Sequence, residues 1–161
     1  MSRGGLTIAL RPASEEDEPF LYRVYASTRE EELSGVPWDD RQKEEFLRFQ
    51  YRAQNTHYKQ HYTGAAFDVI LVDGRPAGRL YVARWPDQVR IMDIALLTEY
   101  RRQGIGAQLL EGLIREADGN GLPLSIHVEI DNPALHLYDR LGFRVLKENG
   151  PYYLMERPAA L

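Results

Sequence analysis

Tyr100-Arg101-Arg102-Gln103-Gly104-Ile105-Gly106-Ala107 decides how the chain reads. The apolar run Ile91-Met92-Asp93-Ile94-Ala95-Leu96-Leu97 precedes it, and Leu109, Leu110, Leu113 and Ile114 follow at helical spacing. Strand, tight glycine loop and helix therefore succeed one another with almost no slack. The first turn of a helix leaves backbone N–H groups without intrahelical partners and carries partial positive charge. Glycines let that backbone come close to a ligand, and Arg101 and Arg102 add full charges, so the stretch reads as a phosphate site. A helix start chosen only for tight packing is the plainer alternative.

The phosphate ligand can be narrowed. A dinucleotide fold needs a third small residue after Gly104-Ile105-Gly106, and Leu109 stands where it should fall. A nucleotide-triphosphate loop needs Gly-Lys-Ser/Thr, which occurs nowhere in the chain. The pattern Arg101-x-x-Gly104-x-Gly106 instead resembles the pyrophosphate loop of the GNAT superfamily of acyl-coenzyme A N-acyltransferases, Gln/Arg-x-x-Gly-x-Gly/Ala.

Composition limits the rest. A chain of 161 residues is most simply one domain, residues 1–161, with room for a sizeable core. Its 20 basic and 24 acidic side chains give a formal net charge of -4, which argues against nucleic acid as a partner. The same balance disfavours a charged tRNA as acceptor. With no cysteine, disulfides, thiolate metal sites and a cysteine nucleophile are excluded. Met1-Ser2-Arg3-Gly4-Gly5 lacks the apolar segment of a secretion signal, and no run approaches membrane-spanning length. A soluble cytoplasmic protein without a membrane partner is the expectation.

Along the chain, Leu6 to Leu10 predicts a first strand, and Ser14 with Asp17 offers capping groups for a helix beginning near Pro19. Ser34-Gly35-Val36-Pro37 breaks that helix, and Asp39 or Asp40 caps a second one running towards Tyr62. Phe67 to Val72, an Asp73-Gly74 turn and Ala77 to Trp85 read as a hairpin, and Pro86-Asp87 leads into Val89 to Leu97. After the loop and its helix, Leu124 to Ile130 alternates as a strand, with Ser125, His127 and Glu129 on its non-aliphatic face. A short helix from Asn132-Pro133 to Leu141-Gly142 and a closing hairpin complete the chain. The order predicts an α/β (α+β) domain built on a mixed sheet covered by helices.

Asn132-Pro133-Ala134-Leu135-His136-Leu137-Tyr138-Asp139-Arg140-Leu141-Gly142-Phe143 adds a second likeness. It resembles the family's Asn-x-x-Ala-x-x-Leu-Tyr-x-x-x-Gly-Phe signature, with Ala134 one place early. The resemblance spans about residues 6 to 157. It implies a mostly antiparallel sheet of about seven strands, helices on both faces, and a split between the fourth and fifth strands. It also implies acetyl-CoA as cosubstrate, no metal, and an acetyl group passing directly to a primary amine in a ternary complex.

Residue by residue, the resemblance assigns pantetheine pairing to the backbone of Ile94, Ala95 and Leu96. The pyrophosphate falls to Arg101, Arg102, Gln103, Gly104, Ile105, Gly106 and Ala107. Asn132 matches a cofactor-contacting asparagine, with a helix cap as its plainer role. Tyr138 matches the tyrosine that protonates the departing sulfur; a core tyrosine is the alternative. The base is less clear. Arg90 and Met92, counted back from the glycines, are not bases, and Asp93 reads as a structural carboxylate out of phase with them. His127 suits accepting a proton through water near neutral pH, or else is structural. Glu129 can counter the charge of the amine or sit in water.

Two further features carry other readings. Glu30-Glu31-Glu32 favours a cationic acceptor if it borders the cleft, and otherwise a solvated helix face. His57 and His61, one helical turn apart, lack the glutamate and third ligand of a metal site. The acceptor is read as a small-molecule or peptide amine, and a homodimer stays open. A CoA-binding regulatory module without turnover is the rival to an enzyme.

Overall fold

The computed structural model describes residues 2–3 and 5–160. Met1 and Gly4, in the N-terminal stretch read above, and Leu161 lie outside the described residues. Strands β1 (Ser2–Arg3), β2 (Leu6–Pro12), β3 (Ala66–Val72), β4 (Arg75–Arg84), β5 (Val89–Leu96), β6 (Leu124–Glu129), β7 (Arg144–Asn149) and β8 (Tyr152–Arg157) take the order β1-β2-β3-β4-β5-β6-β8-β7. Seven of them match the expected set, and two-residue β1 is an addition. Two compact units share β4 and β5: residues 1–79 with 95–100, and residues 80–94 with 101–161.

The first unit carries α1 (Glu18–Ser27), α2 (Glu30–Ser34) and α3 (Asp40–His61). Ser14 and Asp17 form a capping box, and Asp17 also takes a two-pronged ion pair from Arg11 at 2.8 Å. Pro19 falls in the first turn of α1, where its missing N–H costs nothing. The sequence reading ran one helix to Ser34; the structure stops α1 at Ser27 and restarts at Glu30. Ser27 and Thr28 hydroxyls donate to the Val24 and Tyr25 carbonyls at 2.7 Å, hydrogen bonds that compete with helix continuation. Asp39 caps α3 by accepting the Gln42 N–H at 2.8 Å. Leu21, Tyr25, Tyr51 and Val69 are the buried centre, each apolar side chain contributing about 1.5–3 kcal/mol. Asp73 and Gly74, at φ of 51° and 80°, make the left-handed two-residue turn into β4.

The second unit carries α4 (Ile105–Gly119) and α5 (Leu135–Arg140). Ile105, Leu110, Leu113 and Ala117 form the buried stripe of α4. Leu124, Ser125, Ile126 and Val128 of β6 and Met155 of β8 are buried, and the two strands pair antiparallel along their whole length. Arg157 ties three pieces together, donating to the Leu141 carbonyl and to Asp118, each at 2.9 Å.

Candidate active site

The glycine loop is shaped by backbone rather than by side chains. A single turn, Thr98–Tyr100, follows β5 and closes with the Tyr100 N–H on the Leu97 carbonyl at 2.9 Å. Arg102 and Gly104 then take left-handed φ of 62° and 78°. Alternation of this kind turns successive N–H groups towards one concavity, which suits an anion. Gly104 stands at the cap of α4 without a side-chain cap, and the first turn holds no acidic residue. Ile105 is 1% exposed, so its side chain anchors the loop in the core. A Cβ added to Gly106 would meet no atom within 4 Å. Arg101, Arg102 and Gln103 are exposed beside this opening, and Ala107 is half-buried.

The sheet opens just before the loop. β5 and β6 pair in parallel at Val89 with Leu124, Arg90 with Ser125 and Ile91 with Ile126, and the ladder ends there. Met92 to Ile94 and His127 to Glu129 continue as strand beyond it. The expected divergence between the fourth and fifth long strands is therefore present. Ala95 and Leu96, the last residues of β5, belong to the first unit, where Gly78 lies against them. A Cβ on Gly78 would overlap the Ala95 carbonyl oxygen and come within 3.0 Å of the Leu96 Cα. Glycine there lets the β4 backbone press on the end of β5, a role that sequence reading missed.

The second motif folds itself. Asn132 Oδ1 accepts the Ala134 N–H at 2.8 Å and the Asn132 carbonyl accepts the Leu135 N–H at 3.1 Å, so its turn-closing role is present. At the other end Gly142 has φ of 95°; the Gly142 N–H donates to Asp139 at 3.1 Å and the Phe143 N–H to Tyr138 at 3.0 Å. These are the two bonds of a Schellman closure. Its usual apolar contact is here Tyr138 against Phe143, edge to face at 5.5 Å.

Tyr138 is 5% exposed. Burial first, and the charge of Asp93 second, push its phenol up to about 12. Tyr138 therefore keeps its proton at any physiological pH, the state required of a proton donor. Asp93, read as merely structural, is half-buried and electrostatically coupled to Tyr138. No local pattern signals a partner so far away along the chain.

His127 and Glu129 are both exposed on β6. His127 Nδ1 lies 3.5 Å from Arg90 Nη1, and partial burial followed by the Arg90 charge holds its pKa below the ordinary imidazole value. Arg90 also donates to the buried Ser125 Oγ at 2.7 Å. Elsewhere, Glu30, Glu31 and Glu32 are exposed, and Glu32 pairs with Arg29 at 3.2 Å. His57 and His61 stack at 4.3 Å; among the described residues no three His, Cys, Asp or Glu side chains group to hold a metal. Among those residues, too, no helix is long and apolar enough to cross a membrane.

The profile of the acetyltransferase (GNAT) family matches residues 19–143. The chain belongs to that family. Its activity is N-acetyl transfer from acetyl-CoA, as the two motifs implied. An N-alpha-acetyltransferase of Saccharolobus solfataricus is 33% identical over 124 residues, 63% of this chain and 73% of the relative. The [ribosomal protein bS18]-alanine N-acetyltransferase of Escherichia coli K12 is 38% identical over 69 residues, 42% of this chain and 47% of the relative. Among solved structures, the PaiA N-acetyltransferase of Thermoplasma acidophilum in complex with coenzyme A superposes with a TM-score of 0.72. It is 20% identical, with 94% of this chain and 99% of that chain covered. That likeness concerns the GNAT fold, a mixed and mostly antiparallel sheet.

Proposed function

We propose that this acetyltransferase acts on the α-amine of a peptide or protein, in the cytoplasm, by direct attack within a ternary complex. Two relatives named for N-terminal or alanine acetylation support the acceptor class, and the ribosomal substrate named for one supports the location. Acetyl-CoA supplies the thioester. The uncapped α4 start, the left-handed loop and the open face of Gly106 fit its diphosphate, with Arg101, Arg102 and Gln103 alongside. Backbone groups of Ile94, Ala95 and Leu96 pair with the pantetheine arm in the manner of an added strand. N–H groups near Ile94 and Ala95 stabilise the carbonyl oxygen as it gains charge. Asn132 fixes the turn ahead of α5 that sets Tyr138.

The observation that carries the reading is the buried Tyr138, whose phenol stays protonated up to about pH 12. It gives its proton to the departing sulfur, and the proton of the amine leaves past the β6 face bearing His127 and Glu129. Release of free thiol from acetyl-CoA, measured with peptides differing in their first residue, tests the proposal. Thiol release only with side-chain or small alkyl amines overturns the α-amine assignment.

A further inference from the structure

Arg90 is anchored on every side except the one that faces His127. Its Nε donates to Ser125 Oγ at 2.7 Å, its Nη2 to Gln88 Oε1 at 3.3 Å, and its guanidinium lies 5.4 Å from the centre of the Trp85 ring. Ser125, 1% exposed, donates to Gln88 Oε1 at 2.6 Å and so locks the network from behind. The remaining nitrogen, Nη1, is the one 3.5 Å from His127 Nδ1. A guanidinium has donors and no acceptor, so the ring nitrogen facing it must present a lone pair. The ring hydrogen then sits on Nε2, on the exposed side. A proton added to Nδ1 would set two cations side by side.

We propose that Arg90 holds His127 as a neutral ring donating through Nε2–H to a carbonyl oxygen of the peptide acceptor, so that His127 aligns the acceptor and does not take its proton. This rests on the α-amine reading above. It replaces the expectation that imidazole accepts the proton. Arg90 is the positioning residue and His127 the specificity residue.

Other charged groups share this face. Glu129 follows on β6; Glu156 of β8 stands opposite Ser125, and Leu154 and Tyr152 stand opposite His127 and Glu129. One strand further, Arg144 stands beside Glu156 and Lys147 beside Leu154. Arg90 is the one among these whose side chain reaches the His127 ring, at 3.5 Å. Burial and Arg90 together hold the ring below its ordinary pKa, despite the two glutamates.

Nitrogen NMR of the intact protein reads the tautomer and titration of His127 without turnover. The expected result is hydrogen on Nε2 at neutral pH and a midpoint below the ordinary imidazole value. In Arg90→Gln that midpoint should rise, while Arg90→Lys keeps it low. A ring protonated on Nδ1, or a midpoint indifferent to Arg90→Gln, overturns the proposal. In kinetics, His127→Gln keeps a donor and should leave the acid limb of the pH profile in place. His127→Ala should raise KM for the peptide roughly three- to tenfold, the loss of one hydrogen bond, with a smaller effect on kcat. Disappearance of the acid limb in His127→Gln would make His127 the base and sink the inference. Wild-type protein that acetylates no α-amine fails the acceptor reading instead, and the NMR result still decides the state of the ring.

Discussion

The two motifs that place this chain in its family are built on opposite terms. In the glycine loop α4 starts without a side-chain cap, and the space beyond Gly106 is open. The segment from Asn132 to Phe143 spends its capacity on itself. Asn132 closes the entry, Gly142 and Phe143 close the exit, and Tyr138 packs on Phe143. On the proposed function, one motif is a description of a ligand and the other mostly of a fold. Within the second, the Tyr138 hydroxyl is the group left over for chemistry. A match to a motif does not by itself say which kind of constraint wrote it.

Substitutions can break or sharpen that contrast. The largest effect is expected for Gly104→Val, which puts a branched side chain at φ of 78° in the proposed phosphate concavity. CoA affinity measured by calorimetry should fall at least about 100-fold, the strain itself accounting for only about 1–2 kcal/mol of stability. Tyr138→Phe comes next, with kcat lower by about 100-fold or more, and CoA affinity and melting temperature close to wild type. Equal loss of affinity and turnover would make Tyr138 structural. Because its phenol is raised and not lowered, activity should show no alkaline fall attributable to Tyr138 until pH approaches about 12.

Gly142→Ala should do the reverse of Gly104→Val. Its φ of 95° and the Arg157 Nε atom 3.4 Å from an added Cβ predict a loss of about 1–2 kcal/mol by denaturant titration. CoA affinity should stay intact. The smallest effect is that of Arg102→Gly. Relief of a non-glycine residue at φ of 62° should raise stability by about 0.5–1 kcal/mol. Loss of one exposed charge should weaken CoA binding a few-fold, more at low salt than at high. If affinity is unchanged at low salt, Arg102 belongs to the loop's shape and not to its ligand.

Much of this was legible in local sequence because its causes are local. Helix periodicity, Asp39 as a cap, the Asp73-Gly74 turn and the glycine loop each depend on residues within a turn or two of one another. The break at Thr28 was missed because nothing in the sequence marks a helix stop there; hydroxyl groups bonding back to their own helix decide it. Gly78 gave no signal in its own strand, since what it accommodates is the carbonyl of Ala95 seventeen residues on. By sequence Arg90 reads only as a residue that is not a base, and Asp93 as a structural carboxylate. The first judgement follows from side-chain chemistry and the second from strand phase, and neither sees a neighbour on another element.

The sequence by itself determined the order of elements, the two motifs and hence the family and its cosubstrate. Those follow from backbone preference, spacing and the chemistry of N–H groups at a helix start, all of which act over short stretches of chain. Tertiary structure alone decided the protonation states. Burial and Asp93 raise the Tyr138 phenol, and burial and Arg90 lower the His127 imidazole from its ordinary value. A charge is stabilised or repelled by whatever lies within a few ångströms of it, and only the folded chain brings residues 93 and 138, or 90 and 127, that close.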